Sequence, residues 1–284
     1  MAITRFADIS ALVASIYETS VMVVRETSLM PSLVSPYSAQ GWMTRTFSTR
    51  PQVTPVTIAD GVDFSNPTTF TRSALGTLTP AEVIAQIILT DQNVETDPDG
   101  AMMSAATELG DAIASKIDTD LATTMASFTT DKGPGANNSA SITTLGAAIA
   151  VLRNAKAPTG QINAVLHPYH WHDIWVELGK PAATYPNLGE ATNKALNDYW
   201  VDRFLSVNVF ISANIAVDAN SDAVSGVFHP RALALDTRRP YRLEPERDAS
   251  LRGWELNATA GYAVGLGDRP AFGVKYTADA TEPT

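Results

Sequence analysis

The stretch TRTFSTRPQVTPVTIADGVDFSNPTTFTRSALGTLTP, residues 44–80, decides how the rest of the chain is read. Ten threonines alternate there with Val53, Val56, Ile58, Val62, Phe64 and Phe70. β-branched and aromatic residues favour extended backbone, and Asp60-Gly61 marks a turn. Pro51, Pro55 and Pro67 each remove a ladder donor and exclude a central strand. The pattern predicts a long, twisted, edge-type hairpin, with Val83, Ile84, Ile87, Ile88 and Leu89 continuing it as the returning strand. β-branching favours that over a helix. An arm of about 17 residues at ~3.3 Å each spans roughly 55 Å. A globule of this chain length has a radius of gyration of about 19 Å, hence a diameter of about 50 Å. So long a hairpin has little of its own subunit to lie on, and isolated two-stranded hairpins are marginal in water. A neighbouring chain is the expected support.

Upstream, residues 7–29 place Ile9, Leu12, Val13, Ile16, Tyr17, Val21 and Val24 on one helical face, before Pro31 and Pro36 stop the helix. An amphipathic arm and an ordinary core helix both fit that periodicity. Downstream, Asp97 suits an N-cap and Pro98 the first helical position. The stripe Met102, Ala106, Leu109, Ile113, Ile117, Leu121, Met125, Phe128 then predicts a helix of about 27 residues, or ~40 Å. Gly133-Pro134-Gly135 with Asn137-Asn138 ends it in a flexible loop.

A second module follows: a helix through Ile142, Leu145, Ile149 and Leu152, a strand at Ile162 to Leu166, and a helix over Tyr169–Leu178. A loop at Lys180–Gly189 and a strand at Val207–Ile211 complete it. Strands then recur at Ala232–Leu235, Tyr241–Glu246, Trp254–Val264 and Phe272–Tyr276. Val165-Leu166-His167-Pro168 is echoed by Val227-Phe228-His229-Pro230, each a strand end turning into a helix.

Composition narrows the function. The chain has 284 residues, a length that suits two domains. Hydrophobic residues at 45% with 18% charged support a sizeable core and exclude wholesale disorder. With no cysteine there is no disulfide framework, thiolate metal site or cysteine nucleophile. The formal net charge of −10 argues against a protein whose main work is gripping nucleic acid, which needs Lys and Arg to displace counterions. No apolar run is long enough to span a membrane. Ala11–Ala14, flanked by Asp8 and Glu18, is too short for a secretory leader.

Catalytic motifs are absent: there is no G-x-S-x-G elbow, no phosphate-cradling P-loop and no G-x-G-x-x-G after a strand. The one concentration of candidate metal ligands is His167, His170, His172 and Asp173. On a helix His170 and His172 face opposite ways, whereas a zincin needs i, i+4. His167 is read as capping a strand, and His170 and His172 as lying on the surface. The most distinctive charge pattern is Arg231, Arg238, Arg239, Arg242, Arg247 and Arg252 among Asp236, Glu244, Glu246 and Asp248. Arginine without lysine suits planar bidentate pairing, and the interleaved acids disfavour phosphate. Salt bridges between subunits are the expectation.

The order of arm, long hairpin, long helix, α/β module and β-rich C-terminus resembles the major capsid protein of tailed bacteriophages, with the Hong Kong 97-type shell fold. The closest local match is Phe228-His229-Pro230-Arg231-Ala232-Leu233-Ala234-Leu235 followed by Arg238-Arg239-Pro240. Arg242-Leu243-Glu244-Pro245-Glu246-Arg247-Asp248, Glu255-Leu256, Gly261-Tyr262 and Gly273-Val274 extend it. Pro80 to Thr96 is similar to the family's return from its extended loop into its spine helix.

The resemblance implies an α+β fold with an N-terminal arm (1–43) and an extended β-hairpin loop (44–96) lying over an adjacent subunit. It also implies a peripheral domain with the spine helix (97–140 and 237–268) and an axial α/β domain (141–236 and 269–284). The implied function is self-assembly into pentamers and hexamers of an icosahedral head enclosing double-stranded DNA without binding it specifically. The protein would be a virion component assembled in the host cytoplasm, neither enzyme nor membrane protein, with no cofactor and no metal. Its partners would be itself, a portal protein, and scaffolding or decoration proteins. Candidate subunit-interface residues are Arg45, Arg50 and Arg72 on the loop, with Arg238, Arg239, Arg242, Glu244, Glu246, Arg247 and Asp248. Some members of the family cross-link through a loop lysine; residues 44–80 contain none, so loop contacts are expected to be non-covalent. No fused scaffolding segment is evident, because the arm helix begins almost at Met1, and a separate scaffolding protein is expected. The runner-up is an encapsulin-type nanocompartment, which generally lacks so substantial an arm. A metal-dependent hydrolase built on His167, His170, His172 and Asp173 is the remote competitor.

Overall fold

In the computed structural model the described residues are 29–51, 53–65, 67, 69–96, 98–158, 160–178 and 203–283. The expected arm helix up to residue 28, the cap at Asp97 and the loop 180–189 lie outside them.

The described chain opens with a single turn, α1 (Met30–Leu33), and strand β1 (Ser35–Ser38). Strands β2 (Arg45–Thr49) and β3 (Ser73–Leu78) pair antiparallel, Arg45 opposite Leu78 and Thr49 opposite Ser73. They form the base of the hairpin arm; among the described residues between 50 and 72 there is no ladder. At the tip, Val62 N–H donates to Ala59 C=O at 3.2 Å. Gly61 adopts φ +76° there, the left-handed position a type II turn demands.

Strand β4 (Ala81–Thr90) departs from expectation. It does not return along the arm but pairs antiparallel with β10 (Gly253–Leu266), Ala81 opposite Tyr262 and Thr90 opposite Gly253. The reason lies in its alternation. Val83, Ala85, Ile87 and Leu89 face the main core, whereas Glu82, Ile84, Gln86, Ile88 and Thr90 are exposed. That period of two needs a sheet with one covered face, which a free hairpin does not offer. β10 also pairs with β9 (Leu233–Asp248), which pairs with β1, so the sheet runs β1-β9-β10-β4. β9 is one continuous strand where two were expected. Register shifts on either side of Gly261 form a bulge that accommodates Pro240.

A six-residue helix α2 (Asp91–Thr96), not foreseen in the sequence, leads into the spine helix α3 (Pro98–Met125). Leu109, Ile113, Leu121 and Met125 are buried, and Phe128 is buried in the turn that follows. They pack with Leu256, Ala258, Ala260 and Tyr262 of β10 in the main core. Alanine at the centre of the strand lets the helix approach closely.

A second core gathers helix α4 (Ile142–Asn154), β5 (Asn163–Leu166), helix α5 (Pro168–Leu178), β7 (Val207–Ile211), β8 (Asp222–Phe228) and β11 (Gly273–Asp279). With β6 (Arg203–Phe204), its sheet runs β11-β8-β5-β7-β6. Ser141 caps α4 by accepting from Thr144 N–H at 3.2 Å, and Ile142, Leu145, Ile149 and Leu152 are all buried. The loop after the spine is not free. Lys132 N–H donates to Lys275 C=O, and Gly135 N–H to Thr277 C=O, both at 3.1 Å. Asp131 accepts from the Thr277 hydroxyl at 2.6 Å. Gly133 permits this approach, because a Cβ there would lie 2.1 Å from the Thr277 carbonyl oxygen.

Candidate assembly surfaces

The arm is anchored at its base and bare beyond it. Tyr37 and Phe47 stack edge-on with centroids 5.2 Å apart, over a small cluster of Leu78, Ala234 and Ala263. Arg45 Nε donates to Asp236 Oδ2 at 2.8 Å. Arg238, its side chain only 4% exposed, donates to the same oxygen at 2.6 Å. Asp236 is completely buried, so two guanidinium groups are what make its charge tolerable there.

Past the base, Val53, Val56, Ile58, Val62, Phe64 and Phe70 are all exposed, Val56 at 65% and Phe70 at 58%. Six large apolar side chains on one projecting arm exceed the scattered exposure a monomer surface shows. Arg50 lies 5.0 Å from the Phe70 ring centroid, and Arg72 Nε donates to Ser48 Oγ at 3.0 Å.

The other expected interface charges lie along β9, and most find partners within the chain. Arg239 pairs with Glu82 and sits 5.5 Å from the Trp42 ring. Arg242 pairs with Glu244. Arg247 holds Asp91 through two bonds of 2.7 Å, and that bidentate contact keeps the Asp91 carboxyl below its usual range. Asp248 caps the β9–β10 turn, accepting from Ser250 N–H at 2.8 Å and Leu251 N–H at 3.2 Å. The Ser250 hydroxyl, which donates to it at 2.6 Å, and then those backbone bonds hold its carboxyl low. Arg231 pairs with Asp268. Arg50, Arg72 and Glu246 have no ion-pair partner among the described residues.

The histidine cluster serves the fold. His167 and His229 each precede a proline and accept, through Nδ1, from the N–H two residues on, Tyr169 and Arg231, at 3.3 Å. Both echoed His-Pro pairs are therefore imidazole caps. His170 corrects the surface reading: it is fully buried. Its Nε2 donates to Ala278 C=O at 3.1 Å, and its Nδ1 meets the Ser225 hydroxyl at 2.8 Å. Because a carbonyl only accepts, Nε2 carries the proton and Ser225 donates to Nδ1. Ser225 Oγ also accepts from His167 N–H at 3.0 Å. Desolvation lowers the His170 pKa to about 4. Asp173 accepts from Ala140 N–H. Among the described residues no group of three or more His, Asp or Glu side chains is placed to hold a metal ion.

Two carboxylates organise the subunit in ways the sequence reading missed. Asp236 was read among the acids of the arginine tract and expected to pair between subunits; at the end of the apolar run Leu233-Ala234-Leu235 it is buried and pairs within the chain. Asp118, on the spine between Ile117 and Leu121, gave no sign of its role. It is buried and accepts from Leu29 N–H at 3.2 Å and Met30 N–H at 3.3 Å, fixing the start of α1.

A profile of the phage capsid protein family matches residues 78–276. No curated protein matches the chain. A structure from Mycobacterium phage Che8 superposes with a TM-score of 0.66 at 17% identity, over 88% of this chain and 90% of that one. The mature capsid of bacteriophage PhiM1 gives 0.67 at 17% identity, over 90% and 88%. A virus-like particle from Pyrococcus furiosus gives 0.54 at 11%, over 91% and 96%. The architecture is the α+β, Hong Kong 97-like shell fold. Several kinds of particle use that fold, and the family match, covering well over half the chain, is what chooses among them. The chain belongs to the phage capsid protein family, whose members are structural components of the virion.

Proposed function

We propose that this major capsid protein assembles through its arm into pentamers and hexamers, and these into a closed icosahedral head around double-stranded DNA. The observation that carries the reading is the arm itself. It is fixed at its root by the Arg45–Asp236–Arg238 knot, yet residues 50–72 present apolar side chains that its own chain does not cover. The hydrophobic effect drives such a surface onto a second copy.

Residues 97–140 and 237–268 are read as the peripheral domain, and 141–236 with 269–284 as the axial domain. The second core, drawn almost wholly from 141–236 and 269–284, supports that division, while the main core joins the spine and long strands to Val165, Ala223 and Phe228 of the axial ranges. The net charge of −10 suits a container whose contents need not be gripped. A portal protein and scaffolding or decoration proteins are the further partners of this reading, and the host cytoplasm is its place of assembly. Purified protein examined by negative-stain microscopy and sedimentation should give closed megadalton shells. Small oligomers under all assembly conditions, including with a scaffolding partner, would overturn it.

A further inference from the structure

Two of the chain's crossings between the five-stranded axial sheet and the long-strand sheet run side by side. Strand β8 passes into β9 through the turn Pro230–Ala232, and β10 passes into β11 through the turn Pro270–Phe272. The crossings are bonded to each other. Gly267 N–H donates to Ala232 C=O at 2.8 Å, Arg269 N–H to Arg231 C=O at 3.1 Å, and His229 N–H to Phe272 C=O at 3.0 Å. They lie so close that a Cβ on Gly267 would stand 2.4 Å from the Arg231 carbonyl oxygen. The Arg231–Asp268 ion pair spans the same gap. Ser35 of β1 ties down the first turn, donating to Pro230 C=O at 3.0 Å.

One imidazole holds that first turn in shape. His229 is 4% exposed, and its Nδ1 accepts from Arg231 N–H at 3.3 Å. The ring lies edge-on to Phe272 of the second crossing, with centroids 6.0 Å apart. An N–H donor needs a lone pair, so the Nδ1 that makes this cap carries no proton. Protonating it removes the lone pair and sets two donors against each other. The Arg231 N–H then loses its partner, and the ring gains a charge in a place almost sealed from water.

The groups around the ring do not cancel that charge. Arg231, on the same turn, opposes it; Asp268, on the other crossing, favours it but is engaged by Arg231. Tyr37 of β1, which feels both of those charges, is a neutral hydroxyl whose pKa is raised chiefly by burial. Burial first, and then Arg231, keeps the His229 pKa below its ordinary 6.5.

We infer that His229 is an acid-sensitive latch on this double crossing: the neutral ring holds the β8–β9 turn closed, and the protonated ring releases it and loosens the passage between the two sheets. Released, the turn takes up a proton that the closed turn excludes, so the closed form loses ground as pH falls below about 6.5. His167 is the built-in comparison. It caps the β5–α5 turn through the same atom, but its ring meets Tyr169 and His170, so its titration acts inside the axial module.

Hydrogen exchange of the whole chain, read by mass spectrometry and corrected for the intrinsic rate at each pH, tests the latch. Peptides covering 229–232 and 267–272 should lose protection at least about fivefold between pH 7.5 and pH 4.5. His229→Asn sets an amide oxygen where Nδ1 stands and caps at every pH, so its protection should hold to within about twofold. His229→Ala has no cap and should exchange fast at both ends of the range. His167→Asn should leave the loss at the crossings intact. Every other titrating group is common to the original protein and His229→Asn, so the difference between their profiles belongs to His229. If His229→Asn does not fold, His229→Ser, whose hydroxyl can also accept from the N–H two residues on, replaces it. Crossings whose protection does not change with pH in the original protein would overturn the latch. So would a non-titrating cap that loses protection as the original does, an alanine variant that stays protected, or a loss abolished by His167→Asn.

Discussion

Arg45 and Asp236 lie 191 residues apart in sequence and meet through two hydrogen bonds, Nε to Oδ2 at 2.8 Å and a terminal nitrogen to Oδ1 at 3.3 Å. The contact joins the root of the arm to the longest strand of the main sheet. Arg238, almost wholly buried, relies on the same carboxylate. Asp236→Ala therefore leaves a buried guanidinium without its partner, and chemical denaturation should show a loss of about 3–5 kcal/mol. Arg45→Ala removes only the more exposed partner and should cost about 1 kcal/mol or less. Equal effects from the two substitutions would contradict this ranking.

The spine should tolerate no charge on its packed face. Leu109 and Ile113 are each 1% exposed and pack among apolar side chains of the main core. Leu109→Asp or Ile113→Asp buries an unpaired carboxylate and should abolish folding, as seen by loss of a cooperative melt. Leu121→Ala, which only opens a cavity, should retain a cooperative melt and lose about 2–5 kcal/mol.

Periodic elements were readable before the structure, and elements defined by distant partners were not. The spine stripe from Leu109 to Phe128 and the Ile142, Leu145, Ile149, Leu152 stripe of α4 are local patterns, and the structure has them where the spacing put them. β4 shows the limit. Its β-branched residues announce a strand but do not name the partner, and β10 lies some 170 positions away. The arginine-rich tract shows another. Residue type identified ion pairing, but only tertiary contact reveals that Arg239 reaches Glu82 and Arg247 reaches Asp91 within one chain. His170 was misplaced for a related reason. Its partners, Ser225 and the Ala278 carbonyl, come from two strands far along the sequence.

His170 should make the axial module sensitive to acid. Its pKa is lowered to about 4 from an ordinary 6.5, chiefly by desolvation. Between those values the unfolded chain holds a proton that the folded chain lacks. Stability therefore falls as pH drops from 6.5 towards 4 and this contribution levels off below. The full window corresponds to on the order of 3 kcal/mol. His170→Gln keeps a donor for the Ala278 carbonyl and cannot titrate, so the dependence of its melting temperature on pH should be shallower across this window. Parallel profiles would show that His170 is not the responsible group.

Gly133 should resist substitution although it lies outside every helix and strand. A Cβ would stand 2.1 Å from the Thr277 carbonyl oxygen and 2.3 Å from its nitrogen. Backbone atoms cannot swing away as a side chain would. Gly133→Ala should push the loop off β11, break the Lys132–Lys275 and Gly135–Thr277 hydrogen bonds, and cost about 1–3 kcal/mol. Amide exchange at Lys132 and Gly135 should accelerate. Gly135→Ala differs, because its φ of +91° makes strain the cost whatever the space.

The exposed residues of the arm should separate folding from assembly. Val56, Phe64 and Phe70 lie beyond the paired base of the hairpin and are largely exposed, so removing them takes little packing from the folded subunit. Val56→Ser, Phe64→Ser and Phe70→Ser combined should leave the denaturation midpoint of the free subunit nearly unchanged, within about 0.5 kcal/mol. The same change removes apolar area that contributes roughly 25 cal/mol per Å² once covered. Each subunit in a shell would lose that contribution, so shell yield should collapse while the monomer stays stable. Residues 44–80 contain no lysine, so the contact has no amine on the arm from which to form an isopeptide bond. Shells boiled in detergent should run as single subunits on a denaturing gel. A ladder of covalent multimers, or normal shell yield from the triple variant, would show that assembly does not depend on non-covalent burial of the arm.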